Sequence, residues 1–140
     1  MPPQVPEDFV ELLEAVAIRF YPGLYVLVDE AADDLLGEPD LRAHLIAGIS
    51  PDFKPTSVRA IGLVRPSPMG SRALPAEWRQ ILECARRKPW KVDLFVHMRD
   101  ASRVQRLAKD INPRAHAVPL PQINARSLFV RAVRRAASAR

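Results

Sequence analysis

Apolar residues at Phe9, Leu12, Leu13, Val16, Ala17 and Phe20 recur at i, i+3, i+4, i+7, i+8 and i+11, which predicts an amphipathic helix over residues 7 to 20. Pro6 suits its first turn, and Glu7, Asp8 and Glu11 lie where the helix dipole favours negative charge. Pro22-Gly23 ends it. Leu24 to Val28 (LYVLV) is then a continuous apolar run of strand-forming residues, the pattern of a strand buried on both faces.

A second helix is expected from about Pro39 to just before Pro51, with Leu41, Leu45, Ile46 and Ile49 on one side. Val58 to Val64 (VRAIGLV) predicts the second strand, after which Pro66, Pro68 and Gly70 forbid regular structure as far as Arg72. The third helix spans about Pro75 to Lys88, with Trp78, Ile81, Leu82 and Ala85 inward and Arg79, Arg86, Arg87 and Lys88 toward water. Val92 to Met98 (VDLFVHM) is the third strand. A helix follows from about Asp100 to Asp110, with Val104, Leu107, Ala108 and Ile111 inward and Asp100 or Ser102 as N-cap. Ala115 to Leu120 is a short fourth strand, and Pro119 within it argues for an edge position. A last helix is expected over residues 124 to 137, with Leu128, Phe129, Ala132, Val133 and Ala136 as its apolar face.

Strands separated by helices of this length pair in parallel, with the helices covering both faces. The expected fold is a three-layer α/β/α sandwich with a mainly parallel four-stranded sheet, preceded by an N-terminal helix. Residues 1–6, with Pro2, Pro3 and Pro6, read as a flexible lead, and residues 7–137 as a single α/β domain.

Composition supports a globular chain, since 48% of its 140 residues are hydrophobic and 26% are charged. Cys84 is alone, which excludes a disulfide framework or a cysteine metal cluster and fits a reducing cytosol. No apolar run approaches the roughly 18 residues of a membrane helix, and the Pro-rich acidic start differs from a signal peptide. A cytoplasmic protein with no membrane partner is expected. Charge changes the picture more. Residues 1–50 carry ten acids against Arg19 and Arg42, a balance of −8; the other ninety carry 19 bases against 6 acids, a balance of +13, and the two give the net of +5. Each block steers partners of opposite sign.

Candidate chemistry lies beyond the carboxyl ends of the strands, where open parallel sheets bind ligands. Those ends deliver Asp29 and Glu30; Arg65, Ser67 and Arg72; and His97, Arg99 and Asp100, a mixture suited to a phosphorylated ligand, a divalent cation or a salt-bridged rim. His97 beside Asp100 has the address of a base oriented by a carboxylate, and equally that of a histidine bonded to backbone at a strand end. The specific motifs are missing. Asp29-Glu30-Ala31-Ala32-Asp33 has no dinucleotide-binding glycines, no Gly-Lys-Ser/Thr follows a strand, and Pro66-Ser67-Pro68-Met69-Gly70 is no nucleophile elbow. His44, His97 and His116 are too scattered for a metal, and Cys84 reads as a packed thiol. No metal or cofactor is expected.

A strand ending in Asp29-Glu30, another ending at His97, and Val118-Pro119-Leu120 running into a final amphipathic segment together resemble a degenerate receiver domain of the phosphotransfer type. Val64-Arg65 stands where that family has its phospho-accepting aspartate, and Val118 where it has its lysine. Val28-Asp29-Glu30-Ala31-Ala32-Asp33 resembles the start of a Toprim domain, with His97-Met98-Arg99 in place of the metal-binding Asp-x-Asp. Either resemblance implies an inactive relative with a ligand site at the strand ends.

The bases gather on the later helices: Arg86, Arg87 and Lys88; Arg103, Arg106 and Lys109; and Arg131, Arg134 and Arg135. They form the candidate basic interface. Nucleic acid is one partner for such a surface, although aromatic residues for stacking are only 6% of the chain. The leading expectation is a non-enzymatic interaction or regulatory domain that binds a protein partner or itself through complementary acidic and basic faces. Nucleic-acid binding is the second reading, and an enzyme using Asp29, Glu30, Ser67, His97 and Asp100 the third.

Overall fold

The computed structural model describes residues 7–70, 72–88 and 90–120. The expected lead at 1–6 and the expected helix at 124–137 lie outside them. The elements are α1 (Glu7–Phe20), β1 (Tyr25–Val28), α2 (Glu30–Leu36), β2 (Leu45–Gly48), β3 (Val58–Arg65), α3 (Ala76–Arg87), β4 (Lys91–His97), α4 (Ala101–Ile111) and β5 (Ala115–Leu120). They build one five-stranded sheet in the order β1-β2-β3-β4-β5.

Side-chain alternation along the strands divides the core in two. On one face α1 lays Leu12, Leu13, Val16 and Ala17 against Leu45, Ala60, Val64 and Phe95. On the other, α2, α3 and α4 bury Leu36, Trp78, Ile81, Leu82, Val104 and Ala108 against Ile46, Ile61, Leu63, Leu94 and Val96. The result is the expected three-layer α/β/α arrangement with its N-terminal helix. β3-α3-β4-α4-β5 is the parallel half, as the sequence predicts, and β5 with its Pro119 is an edge strand.

The N-terminal half differs from expectation. Where a helix is predicted over 39–50, Leu45–Gly48 forms β2, antiparallel to both β1 and β3. The sheet therefore has five strands of mixed direction rather than four mainly parallel ones. Leu41, Leu45, Ile46 and Ile49 fit a helical stripe, but all four residues of β2 are buried, Gly48 included, and a helix face would leave some of them exposed. Helix formation instead falls on the acidic run Glu30–Leu36, which Gly37 closes in a left-handed turn at φ 72°. Among the described residues β1 pairs with β2 alone, so it is an edge strand with Tyr25 exposed, not a strand buried on both faces.

Gly62 sets how closely α1's face of the sheet packs. A Cβ there would lie 3.0 Å from the Leu45 Cβ and 3.3 Å from the Phe95 ring. Gly62→Val is therefore expected to lower stability by about 1–3 kcal/mol through overpacking. Urea unfolding checks this, and a loss smaller than about 0.5 kcal/mol would mean that this layer is looser than described.

Candidate functional site

Two antiparallel steps bring the C-terminal end of β1 to the same sheet edge as those of β3, β4 and β5. The candidate residues share that edge but not a site. β1 and β4 are separated by three strand spacings, roughly 14 Å. Arg65 pairs with Val96, so strand alternation turns Arg65 toward the α3 face and His97 toward the α1 face.

At the β1 end, Asp29 has φ 57° and ψ −123°, a strained conformation for a residue with a side chain. Hydrogen bonds on every side hold it. Its N–H donates to the His44 carbonyl at 3.0 Å, and its own carbonyl accepts from the Asp33 N–H at 3.0 Å. Its carboxylate accepts from Arg42 Nη2 at 2.9 Å. Asp33 accepts from the Ala43 N–H at 2.7 Å and from Arg42 Nε at 3.4 Å. Burial, the largest influence, raises the Asp33 pKa, while the bond from Ala43 and the charge of Arg42 oppose it. Both carboxylates thus serve to clamp the chain between α2 and β2. Glu30 is exposed beside them.

At the β3 and β4 ends, Asp100 is buried and fully engaged. It accepts from the Met69 N–H at 2.8 Å and from Arg103 Nη2 at 3.0 Å, which pins the 66–75 loop to the start of α4. Asp100 is the N-cap, yet its side chain makes no capping bond, being turned to the loop instead. His97 does not meet that carboxylate. Its Nδ1 accepts from the Arg99 N–H at 3.1 Å, so of the two roles its address suggests, the backbone-bonded one is realised. Ser67, Arg72 and Arg99 are exposed. Cys84 is packed in the core.

Several engaged groups are not singled out by the sequence patterns. His44 Nδ1 accepts from the Val64 N–H at 2.8 Å, with the Phe9 ring edge-on at 5.1 Å. Burial first, then the charge of Arg42, pulls its pKa down to about 4, so the imidazole is neutral at pH 7. Under α1, the Tyr21 hydroxyl donates to Asp93 Oδ2 at 2.7 Å, and Lys91 Nζ lies 3.2 Å from Oδ1. Burial, then the Asp93 charge, pushes the tyrosine pKa far up. A lone aspartate inside the apolar run VDLFV was the available signal, because a buried carboxylate requires a partner. Among the described residues no group of His, Cys, Asp and Glu is arranged to hold a metal, and no helix is long and apolar enough to cross a membrane.

Charge collects at two corners of the sheet. At the C-terminal end of β1, a hollow of about 530 Å³ is lined by Glu30, Asp33, Asp34 and Glu38 with Arg42. α3 and α4 both end at the opposite sheet edge, where Arg86, Arg87, Lys88 and Lys109 join Lys91 and Arg114 at the starts of β4 and β5. Arg86, Arg87, Arg106 and Lys109 are exposed and form no ion pair among the described residues. Arg103 is taken by Asp100, and Arg131, Arg134 and Arg135 lie outside the described residues.

No family model, curated protein or solved structure matches this chain. The local resemblance to receiver domains does not extend to topology, since those domains wind a parallel sheet in the order 2-1-3-4-5 and this sheet runs β1 to β5 in sequence with two antiparallel pairs.

Proposed function

We propose that the protein is a non-enzymatic interaction domain that docks a further copy of itself through its oppositely charged corners. The observation that carries this reading is the sequential strand order. It sets Glu30, Asp34 and Glu38, at the C-terminal end of β1, diagonally across the sheet from Arg86, Arg87 and Lys109, where α3 and α4 end. Complementary patches on different sides of one molecule make heterologous contacts, which form rings or chains. Three of the carboxylates near the strand ends are engaged in holding loops: Asp29 and Asp33 on Arg42, and Asp100 on Met69 and Arg103.

Reversing Arg86, Arg87, Arg106 and Lys109 to glutamate is expected to abolish salt-sensitive self-assembly and to leave the circular dichroism spectrum unchanged. Size-exclusion chromatography with and without duplex DNA measures it. Assembly that survives the reversal contradicts docking by charge; DNA that co-elutes with the wild type and not with the variant replaces it by the nucleic-acid reading.

A further inference from the structure

The two edges of the sheet are treated differently. On β5 the outward main chain is closed: Gln105 on α4 donates through Nε2 to the Ala115 carbonyl at 3.0 Å, and its Oε1 accepts from the Ala117 N–H at 2.7 Å. Pro119, the next outward position, has no N–H to offer. One side-chain amide and one proline therefore block strand addition at that edge.

β1 has no such cover among the described residues. The Asp29 N–H reaches the His44 carbonyl, and antiparallel alternation then directs the main-chain groups of Val26 and Val28 away from β2. Beside this open edge the surface is apolar. Ile18, Tyr25 and Ile49, exposed by 42%, 51% and 52%, account for all but one of the exposed large hydrophobic residues among those described. Ile49 follows Gly48, the partner of Tyr25 in the ladder. Ile18 lines a cleft of about 360 Å³ between α1 and β1, together with Tyr21, Leu24 and Val26.

We infer that β1 pairs antiparallel with β1 of a second copy, joining two sheets about a two-fold axis. Val26 of each copy then stands opposite Val28 of the other, so that the outward N–H and C=O groups satisfy one another. The charges select this orientation. Beyond the Asp29–Arg42 pair, the C-terminal end of β1 carries the exposed Glu30 and Asp34, while Arg19 at the end of α1 and Lys54 and Arg59 in and after the β2–β3 loop, with one acid, Asp52, among them, lie toward its N-terminal end. Antiparallel pairing sets the acidic end of each copy beside the basic end of the other, and parallel pairing would set acid beside acid. The contact is main-chain and apolar at its centre, so it persists in salt that dissolves the corner-to-corner docking proposed above. Failure of one therefore leaves the other intact.

The test is sedimentation equilibrium of the full chain at about 1 M salt, where surface charge is screened. The wild type is expected to sediment at twice the 15.7 kDa chain mass. Val26→Pro removes an outward N–H that β2 does not use, and is expected to weaken the dimer by at least about tenfold. In parallel, the Val26 and Val28 amides are followed by hydrogen exchange, which needs no variant. They should be protected in the concentrated protein and lose protection on dilution. A monomeric wild type, a dimer indifferent to Val26→Pro, or amides that exchange freely at all concentrations would each overturn the pairing.

Discussion

Acidification from pH 7 to about 4 is expected to cost the fold on the order of 3 kcal/mol through His44 alone. Its pKa falls from 6.5 to about 4 on folding, a drop of about 2.5 units at about 1.4 kcal/mol each. Because the folded value is depressed, the unfolded chain binds the proton first as the pH falls. The stability is complete above about 6.5 and is lost progressively down to about 4, below which both states are protonated. The cause is local: a protonated Nδ1 can no longer accept from the Val64 N–H, and the cation would sit near the Arg42 guanidinium. Asp33 works in the opposite direction, since its raised pKa favours the fold as protons bind. His44→Asn retains an acceptor for Val64 without a titrating group. Urea midpoints measured between pH 7 and pH 4 should fall steeply for the wild type and much less for the variant, and parallel profiles would remove His44 as the cause.

Asp100→Ala is the most damaging change expected at the strand ends, at about 3 kcal/mol, because it orphans the Met69 N–H and frees Arg103 where a buried carboxylate had served both. Asp100→Asn keeps an acceptor for Met69 and should recover part of the loss. The consequence also discriminates function. If Asp100 holds the 66–75 loop, its removal lowers the unfolding midpoint; if it were a base for His97, the protein would keep its stability. A change within about 0.5 kcal/mol would show that the loop does not depend on it.

The parallel half of this fold is legible in the sequence because each apolar run there has one interpretation. VRAIGLV and VDLFVHM are too β-branched and too short for buried helices, and the stripes of α3 and α4 are long enough to show their period. The N-terminal half is not legible for a physical reason. Leu45-Ile46-Ala47-Gly48 is a four-residue run in which helix and strand spacing cannot be told apart, and the strand forms through pairing with Val58–Arg65 and Tyr25–Val28. Once β2 is placed, β1 becomes an edge, and its apolar run changes meaning from a strand buried on both faces to a half-buried edge with Tyr25 exposed.

Asp29, Asp100 and His97 lie at strand C-terminal ends, as the strand assignment implies, yet what their side chains touch depends on contacts between distant segments. Nothing local to Asp100 announces a bond to Met69, thirty-one positions away, and nothing near Asp29 announces Arg42. The charge segregation needed no such contact. It is read directly from the order of residues along the chain.

Sedimentation velocity of the wild type through a salt series tests the central claim most directly. Docking between acidic and basic corners predicts species larger than a dimer at low ionic strength, dissolving steeply as the screening length shrinks from about 30 Å at 0.01 M toward about 3 Å at 1 M salt. A distribution of species that stays the same across that series would contradict it.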